Sequence, residues 1–292
     1  MEQFIKYGGA PILSEALGTC FDVLVTKDNG KYRMDFSWRP KKCLAVTFSD
    51  DGIHWDEPQI TLETNPNSGW EDNINRNCVI KVGNKYKMWY TGQANGFSAI
   101  GYAESDDGIR FHRVGSTPVL TRERDWEGFS VMNPCVIFEN GIYKMWYAAG
   151  ETFEPNVLAY AESRDGIKWE KYGKEPIYTC KAENEYEKDR VGGCQVLHTE
   201  DMGYVMFYIG YKDIHTANIC VACSPDGKND WIRSPLNPIV APTKGGWDAD
   251  SCYKPSALWN DKENKWMLWY NGRNGDDERI GYAFKTGREL FE

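Results

Sequence analysis

Apolar and polar positions along this chain follow a pattern of short strands joined by tight turns. The run "PCVIF" is continuously apolar, "ENG" is a turn signal, and "IYKMWYAAG" alternates between apolar and polar positions. This order predicts a buried inner strand, a hairpin and a second strand. A third run, "VLAYAES", leads through the turn "RDG" to "IKWEKYG". The whole unit therefore predicts four antiparallel strands in chain order.

The four-strand unit occurs five times. Its second strand reads "GKYRMDFS", "NKYKMWYTG", "GIYKMWYAAG", "MGYVMFYIG" and "NKWMLWYNG" in the successive copies. The turn glycines after the third strands mark a period of roughly 55–60 residues, which is typical of propellers and other arrays. These glycines are Gly52, Gly108, Gly166, Gly227 and Gly287.

The fifth copy is divided between the two ends of the chain. It stops before its fourth strand, and "FIKYGGAPIL" near the N-terminus aligns with "WEKYGKEPIY", Phe4 on Trp169 and Pro11 on Pro176. If residues 4–13 form the outer strand of the last unit, the ring closes and protects its sheet edges. We therefore predict an all-β fold, a single five-bladed β-propeller with four-stranded blades, closed by the N-terminal strand that completes the last blade.

The predicted domain covers residues 1–292. Its blades are expected at about 14–65, 66–121, 122–179, 180–241, and 242–292 together with 1–13. Hydrophobic residues make up 41% of the chain and aromatic residues 14%, which is enough for a core between blades. Because most Trp and Tyr residues recur at repeated positions, we expect them to be wedges between neighbouring blades.

Charge and targeting signals argue against several classes of partner. The net charge is −9 and Lys and Arg do not cluster, so neither nucleic acid nor a membrane is an expected partner. No apolar run approaches the roughly 20 residues of a membrane-spanning helix. The N-terminus lacks the pattern of a signal peptide, which favours a cytoplasmic location. The pattern makes no prediction of oligomeric state.

The nine cysteines favour a reducing compartment and do not predict a metal or redox site. Cys78, Cys135 and Cys194 share one position of the repeat, where small buried side chains are expected. The motif "CVAC" at Cys220–Cys223 lies in a predicted strand, and residues three apart in a strand point to opposite faces.

Comparison among the repeats separates structural polar residues from candidate functional ones. A residue type found in every blade is explained by a structural role in the blade. A polar residue found in only one blade, at a channel-facing position, is a candidate for a functional role. When the inner strands are aligned on their hairpins, five residues fall on one level just before "PCVIF" and its equivalents. They are Asp22, Arg76, Asn133, Gly192 and Lys254.

Further unrepeated polar residues lie just upstream of this level. They are Asp72 and Asn73 in blade 2, Asp189 and Arg190 in blade 4, and Asp250 and Tyr253 in blade 5. A ring of such residues around one end of a channel predicts a binding site. The alternative is that they only solvate the mouth of the channel.

At these residues the chain resembles the five-bladed glycosidase propellers of glycoside hydrolase families 43, 32 and 68, with the related family 130 of mannoside phosphorylases and mannosidases. The resemblance covers all five blades and is carried by "NPCVIFENGIYKMWYAA", "IGYAESDDGIRFHR" and "YKPSALWNDKENKWMLWY". It implies a carbohydrate substrate, and it implies that Asp22 is the base or nucleophile. Asn133 stands where these families have an Asp, and the usual acid position falls in "RVGG", so Asp189 is the nearest candidate acid.

Three functions remain open at this point. Hydrolysis of a glycosidic bond needs two carboxyl groups, and Asp22 with Asp189 is the first pairing, with Asp72 and Asp250 in reserve. Phosphorolysis needs one acid and cations for inorganic phosphate as co-substrate, which Arg76, Arg190 and Lys254 would supply. No other cofactor is expected. The third alternative is a non-catalytic sugar-binding or glycan-assembly propeller with a degenerate site.

Overall fold

The computed structural model describes residues 4–13, 15–151 and 153–291. The parts of the predicted first and last blades that fall on residues 1–3, 14 and 292, and residue 152 of the predicted third blade, lie outside the described residues. The structure is all-β. Its helices within the described ranges are four short 3-10 turns, namely Glu15–Leu17, Arg39–Lys41, Pro66–Ser68 and Asp125–Glu127. None of the described helices is long and apolar enough to cross a membrane.

The described residues form 21 strands, numbered here in chain order. They are β1 Ile5–Lys6, β2 Cys20–Asp28, β3 Lys31–Trp38, β4 Cys43–Ser49, β5 Gln59–Glu63, β6 Asn73–Val82, β7 Lys85–Ala94, β8 Phe97–Ser105, β9 His112–Arg113, β10 Ser130–Glu139, β11 Ile142–Gly150, β12 Pro155–Ser163, β13 Glu170–Lys171, β14 Tyr178–Thr179, β15 Arg190–Thr199, β16 Gly203–Asp213, β17 Thr216–Ser224, β18 Ile232–Arg233, β19 Ser251–Asn260, β20 Lys265–Asn274 and β21 Asp277–Thr286.

Antiparallel pairing divides these strands into five sheet groups. Group 1 is β2–β5, group 2 is β6–β9, group 3 is β10–β14, group 4 is β15–β18, and group 5 is β19–β21 with β1. Groups 2 and 3 are joined by a parallel pairing between Ser98 and Ser130, so that they count as one nine-stranded sheet. The groups follow the repeat units that the sequence pattern predicts.

The N-terminal strand pairs with the last strand of the chain. Ile5 lies opposite Phe284 and Lys6 opposite Ala283. Two further backbone hydrogen bonds, from the Tyr7 amide to Tyr282 and from the Ile12 amide to Ile280, extend this contact at 2.9 Å each. The strand itself has two residues, shorter than the predicted run over 4–13, because the Gly-Gly pair that follows turns the chain.

Each sheet group shares a hydrophobic core cluster with the next one, and the fifth shares one with the first. Apolar faces of adjacent groups are therefore buried against each other instead of within one sheet. Representative pairs across the five boundaries are Leu44 with Tyr86, Trp89 with Tyr147, Trp146 with Tyr208, Val205 with Leu268, and Trp269 with Val25.

Buried tryptophans act as wedges at these boundaries, as the repeat predicts. Trp89 donates its indole N–H to the Gly166 carbonyl at 2.8 Å, and Trp146 does the same to Gly227 at 2.7 Å. A Cβ atom at Gly166 would lie 2.9 Å from the Trp89 ring, and its φ of +81° also favours glycine. Gly52 and Gly227 pack in the same way against Trp269 and Trp146, so these three turn glycines are required by the packing of the neighbouring group.

Group 1 departs from this arrangement, because Asp35 occupies the position that Trp or Phe fills in the other groups. The Asp35 carboxylate pairs with the Arg33 guanidinium through two contacts of 2.7 Å. Both side chains are buried, and the Arg33 guanidinium lies over the rings of Phe48 and Tyr86. An ion pair thus replaces the wedge between groups 1 and 2.

Candidate functional site

The first long strand of each sheet group has a β-bulge, which lies at the same place in groups 1, 2, 3 and 5 and is offset by one residue of the partner strand in group 4. Pairing with the second strand shifts register after Phe21, Asn75, Met132, Val191 and Tyr253. The residue that directly follows each of these positions is one of the five that the sequence alignment places on one level. Asp22, Arg76, Asn133 and Lys254 have φ between 48° and 59°, a left-handed conformation that costs free energy for residues other than glycine.

Side chains from the neighbouring group hold three of these bulges. The Asp22 amide donates to Asn271 Oδ1 at 2.9 Å, and the Arg76 amide donates to Ser37 Oγ at 3.2 Å. The Asn133 amide likewise donates to the Thr91 hydroxyl at 3.1 Å. Each bulge is therefore positioned by the second strand of the preceding group, and Asp22 in particular by the last group of the chain.

The bulge residues lie at a cavity of about 790 Å³, a volume within the usual range for small-molecule sites. Six residues predicted from sequence line it: Asp22, Asn73, Arg76, Asn133, Tyr253 and Lys254. The lining comes from four of the five sheet groups together with Tyr211 and Ile209 of the remaining one. The cavity is therefore a shared feature of all the groups.

Four other predicted site residues lie outside this lining: Asp72, Asp189, Arg190 and Asp250. The Asp189 carboxylate lies 2.5 Å from Arg190 Nε, and Arg190 also pairs with Glu151 at 2.9 Å. Asp250 accepts the Gly275 amide at 2.7 Å. The pairing of Asp22 with Asp189 is therefore not made in the cavity, because Asp189 precedes the bulge and its side chain turns toward Arg190.

Asp22 is almost fully buried, with 2% of its surface exposed. Its Oδ2 accepts a hydrogen bond of 3.1 Å from the Ser37 hydroxyl, which itself accepts the Arg76 amide. Its Oδ1 lies 3.9 Å from Arg76 Nε. These contacts orient the carboxyl group, and none of the described residues gives Oδ1 a close hydrogen-bond donor.

Glu154 is a second carboxyl group in the cavity, and the residue-level prediction missed it. It lies in the loop between β11 and β12 and accepts a hydrogen bond of 2.5 Å from the Tyr211 hydroxyl. Burial raises the pKa of the Glu154 carboxyl, although the Tyr211 hydroxyl and the Arg76 charge oppose that rise. The Arg76 guanidinium also donates to the Phe153 carbonyl at 3.2 Å, which ties the loop to group 2.

Glu278, at the start of β21, is a third carboxyl group that residue-level prediction missed. It accepts the Tyr253 hydroxyl at 2.6 Å and lies 2.5 Å from the Arg39 guanidinium. Its two oxygens are thus both engaged, unlike those of Glu154. The unrepeated loop "ETFEPN" was the one sequence signal for Glu154, because loops after second strands are expected near the channel. The sequence pattern contains no such signal for Glu278.

Comparison with known proteins identifies the family of the chain and several relatives. The model of the family described as "Glycosyl hydrolases family 32 N-terminal domain" matches residues 24–181, more than half of the chain. An uncharacterized protein of Mycobacterium tuberculosis is 28% identical over 212 residues, 68% of this chain and 67% of that protein. A 1,2-beta-oligomannan phosphorylase of Thermoanaerobacter sp. is 30% identical over 154 residues, 52% of this chain and 46% of that protein.

Solved structures share the fold across nearly the whole chain. The beta-1,2-mannobiose phosphorylase of Listeria innocua superposes with a TM-score of 0.72 at 15% identity, covering 98% of this chain and 97% of that one. A thermostable family-43 glycoside hydrolase gives a TM-score of 0.72 at 17% identity, with 94% of each chain covered. The predicted resemblance to these glycosidase and phosphorylase folds is therefore confirmed.

Proposed function

The chain belongs to the glycosyl hydrolase family 32 N-terminal domain family, and from this premise we propose that it cleaves a glycosidic bond of a carbohydrate bound in the cavity. We propose Asp22 as the base or nucleophile, as the sequence indicates, and Glu154 as the general acid in place of Asp189. The observation that carries the proposal is that two of the carboxyl groups lining the cavity have different partners: Ser37 and Arg76 for Asp22, and Tyr211 for Glu154.

Cleavage of a glycoside requires one carboxyl group that gives a proton to the leaving oxygen and another that is ionised. Burial raises the pKa of Glu154, which favours the protonated form that a general acid needs. Its hydrogen bond with Tyr211 fixes the orientation of the group and leaves the second oxygen for the proton. Glu278 fits this role less well, because Arg39 and Tyr253 occupy both of its oxygens.

We assign the role of base or nucleophile to Asp22. The Ser37 hydroxyl donates to one of its oxygens, and Arg76 Nε lies 3.9 Å from the other. Arg76 also donates to the carbonyl of Phe153, the residue before Glu154, so one guanidinium contacts both the Asp22 carboxylate and the loop that carries Glu154. A sugar bound between them would be within reach of an acid and of a base or nucleophile.

We interpret the five sheet groups as the blades of a closed five-bladed propeller. Three observations support this: the pairing of β1 with β21, the hydrophobic cluster shared by the first and fifth groups, and the contact of Asn271 with the Asp22 amide. In that arrangement the cavity lies at one end of the central channel, and Asp22 is held at the seam where the ring closes.

Phosphorolysis is the second candidate function. The relative from Thermoanaerobacter is named a phosphorylase, and Arg76 has no contact closer than 3.9 Å to a carboxylate. Inorganic phosphate beside Arg76 would replace Asp22 as the nucleophile, with Glu154 still protonating the leaving group.

We also propose a cytoplasmic location, since the nine cysteines are all free and a reducing compartment suits them.

The test is to incubate the protein with oligosaccharides and aryl glycosides, with and without phosphate, and to identify free sugar or sugar 1-phosphate. Asp22→Asn and Glu154→Gln should each lower turnover by at least about 100-fold, the low end for the loss of a positioned acid or base. Asp189→Asn is the matched control, since that carboxylate lies outside the cavity.

Turnover that needs phosphate and yields sugar 1-phosphate would favour the second candidate. Equal losses in Asp189→Asn and Glu154→Gln would contradict the assignment of the acid. If the Asp22→Asn variant keeps the full rate on a confirmed substrate, the role of Asp22 is wrong. Binding of sugars without any turnover would leave the non-catalytic alternative as the better description.

A further inference from the structure

We propose that Lys254 forms a subsite for an acidic group carried by the sugar in the cavity, with the Asn133 amide oxygen accepting a hydrogen bond from a hydroxyl of the same sugar, so that the substrate class is an anionic glycoside. This inference rests on the proposed function, because it assigns what the same cavity recognises. The acidic group is a carboxylate or a phosphate ester, since a buried ammonium group recognises either one in the same way.

The first observation is a buried positive charge without a partner. Lys254 lines the cavity and is only 5% exposed. Within the described ranges it takes part in none of the ion pairs or hydrogen bonds, whereas Arg39, Arg76 and Arg273 of the same lining each have at least one. A buried ammonium group is costly unless a counter-charge or hydrogen-bond acceptors compensate it.

The backbone fixes where this charge lies. Lys254 sits at the bulge with φ of 48°, a conformation that costs free energy and that the register shift imposes. The next residue is Pro255, which restricts the chain further. The lysine side chain therefore starts from a defined point at the cavity floor and not from a flexible loop.

The neighbours of Lys254 do not neutralise it. Its charge acts on the thiols of Cys78, Cys135 and Cys194, which share one position two residues beyond the bulge level. Burial raises the pKa of all three thiols, so they stay protonated at neutral pH despite the nearby ammonium group. Because no ion pair or hydrogen bond from the described residues compensates the charge, we assign that role to a group that enters the cavity.

Asn133 provides a second unpartnered group on the same level. Its side chain is 3% exposed, and its Oδ1 has no hydrogen-bond partner among the described residues. The amide packs against Gly193, where an added Cβ would lie 2.6 Å from Asn133 Cγ. At Gly192, which lies between Asn133 and Lys254 in chain order, an added Cβ would lie 2.8 Å from the Tyr211 ring and 3.3 Å from Ile209, so these two cavity side chains occupy that place.

The depth of Lys254 favours a group carried by the sugar over a free nucleophile. Arg76 lies 3.9 Å from the Asp22 carboxylate and donates to the Phe153 carbonyl next to Glu154, so we place the reacting carbon on this side of the cavity. The charge of Lys254 acts instead on the buried thiol of Cys194, in another sheet group. A group held at that depth is a substituent of the bound ring, because an attacking phosphate would have to lie between the two carboxyl groups.

Calorimetric titration tests the subsite directly. The probes are D-glucuronate, D-galacturonate, D-mannuronate and mannose 6-phosphate, with D-glucose, D-galactose and D-mannose as neutral counterparts and inorganic phosphate and acetate as free anions. At least one acidic sugar should bind 10-fold or more tightly than its neutral counterpart. Lys254→Met should lose about 10- to 150-fold of that affinity, the range for one charge-assisted contact.

Lys42→Met is the matched control, because Lys42 also lines the cavity but is exposed. It should keep the preference for the acidic sugar. A second readout needs no ligand: removing an uncompensated buried charge should leave the melting temperature of Lys254→Met equal to or above that of the native protein. A lower melting temperature would mean that Lys254 is compensated within the protein, and would overturn the proposal.

Two binding results would also overturn it: equal binding of acidic and neutral sugars, or binding of free phosphate and acetate without any preference among the sugars. Failure of the proposed function gives a different result. Acidic sugars would still bind through Lys254, but no glycoside would be cleaved in a manner that depends on Asp22 and Glu154. Conversely, Asp22-dependent cleavage of a neutral glycoside without acidic preference would contradict only the subsite.

Discussion

Replacing Asp35 by Ala should destabilise the protein more than any substitution of an exposed carboxylate. Asp35 and Arg33 are 0% and 1% exposed, and two contacts of 2.7 Å join them. Asp35→Ala leaves the Arg33 guanidinium buried without its counter-charge, at the boundary that a tryptophan fills elsewhere. Breaking a buried pair in this way costs about 3–5 kcal/mol.

That loss is large beside the stability of about 5–15 kcal/mol of a typical folded protein. At about 2–4 °C per kcal/mol for larger domains, the melting temperature should fall by about 6–20 °C. Differential scanning calorimetry at neutral pH measures the shift. Asp50→Ala is the control, because its pair with Lys31 is exposed and such pairs contribute at most about 1 kcal/mol.

The double variant Arg33→Met with Asp35→Trp copies the residues Met267 and Trp269 of the fifth sheet group. Apolar replacement of a buried ion pair is often neutral or stabilising, by about 1–4 kcal/mol. The double variant should therefore recover most of what Asp35→Ala loses. If Asp35→Ala melts within 2 °C of the native protein, the ion pair does not hold this boundary and the reasoning is refuted.

Three further predictions concern the site and the ends of the chain. Deleting residues 1–13 should expose the edge of β21 and give aggregated or unfolded protein; a soluble truncation with an unchanged melting temperature would contradict closure by the N-terminal strand. Asn271→Ala should lower turnover at least 10-fold by releasing the amide of Asp22, whereas Asn274→Ala, which loses only an exposed contact, should not. Because the pKa of Glu154 is raised, activity should persist above the ordinary titration range of a glutamate and fall as pH increases further; the pH dependence of kcat should lose this limb in Glu154→Gln, and an unchanged limb would exclude Glu154 as the acid.

Part of the candidate site could be predicted because it repeats. In groups 1, 2, 3 and 5 the bulge recurs at the same distance from the end of its strand, so alignment of the copies places Asp22, Arg76 and Lys254 on one level without any knowledge of the fold. The same comparison marks the residues as unusual, because each copy has a different side chain there.

The partner of Asp22 could not be predicted in this way. Asp189 is near the bulge of its own strand in sequence, but its carboxylate turns to Arg190 outside the cavity. Glu154 lies in an irregular loop that has no counterpart in the alignment, and its approach to Tyr211 joins two sheet groups. Sequence spacing contains no information about such a contact.

The sequence by itself determined the strands, the five-fold repeat and the place of the N-terminal strand. These features depend on periodic burial along the chain, and periodicity of 2 within strands and of 55–60 residues between units is a local property. Even the turn glycines could be identified from it, although the reason for three of them is a tryptophan of the neighbouring group.

Only the tertiary structure decided which polar side chains meet. Asp22 is held by Asn271, some 250 positions away in the chain, and Glu154 is brought toward Arg76 by a loop of another sheet group. Lys254 likewise lines the cavity and, among the described residues, has no ion-pair partner. Such contacts depend on how sheet groups from distant parts of the chain pack together, because burial and charge in the cavity are properties of the packed groups and not of any one strand.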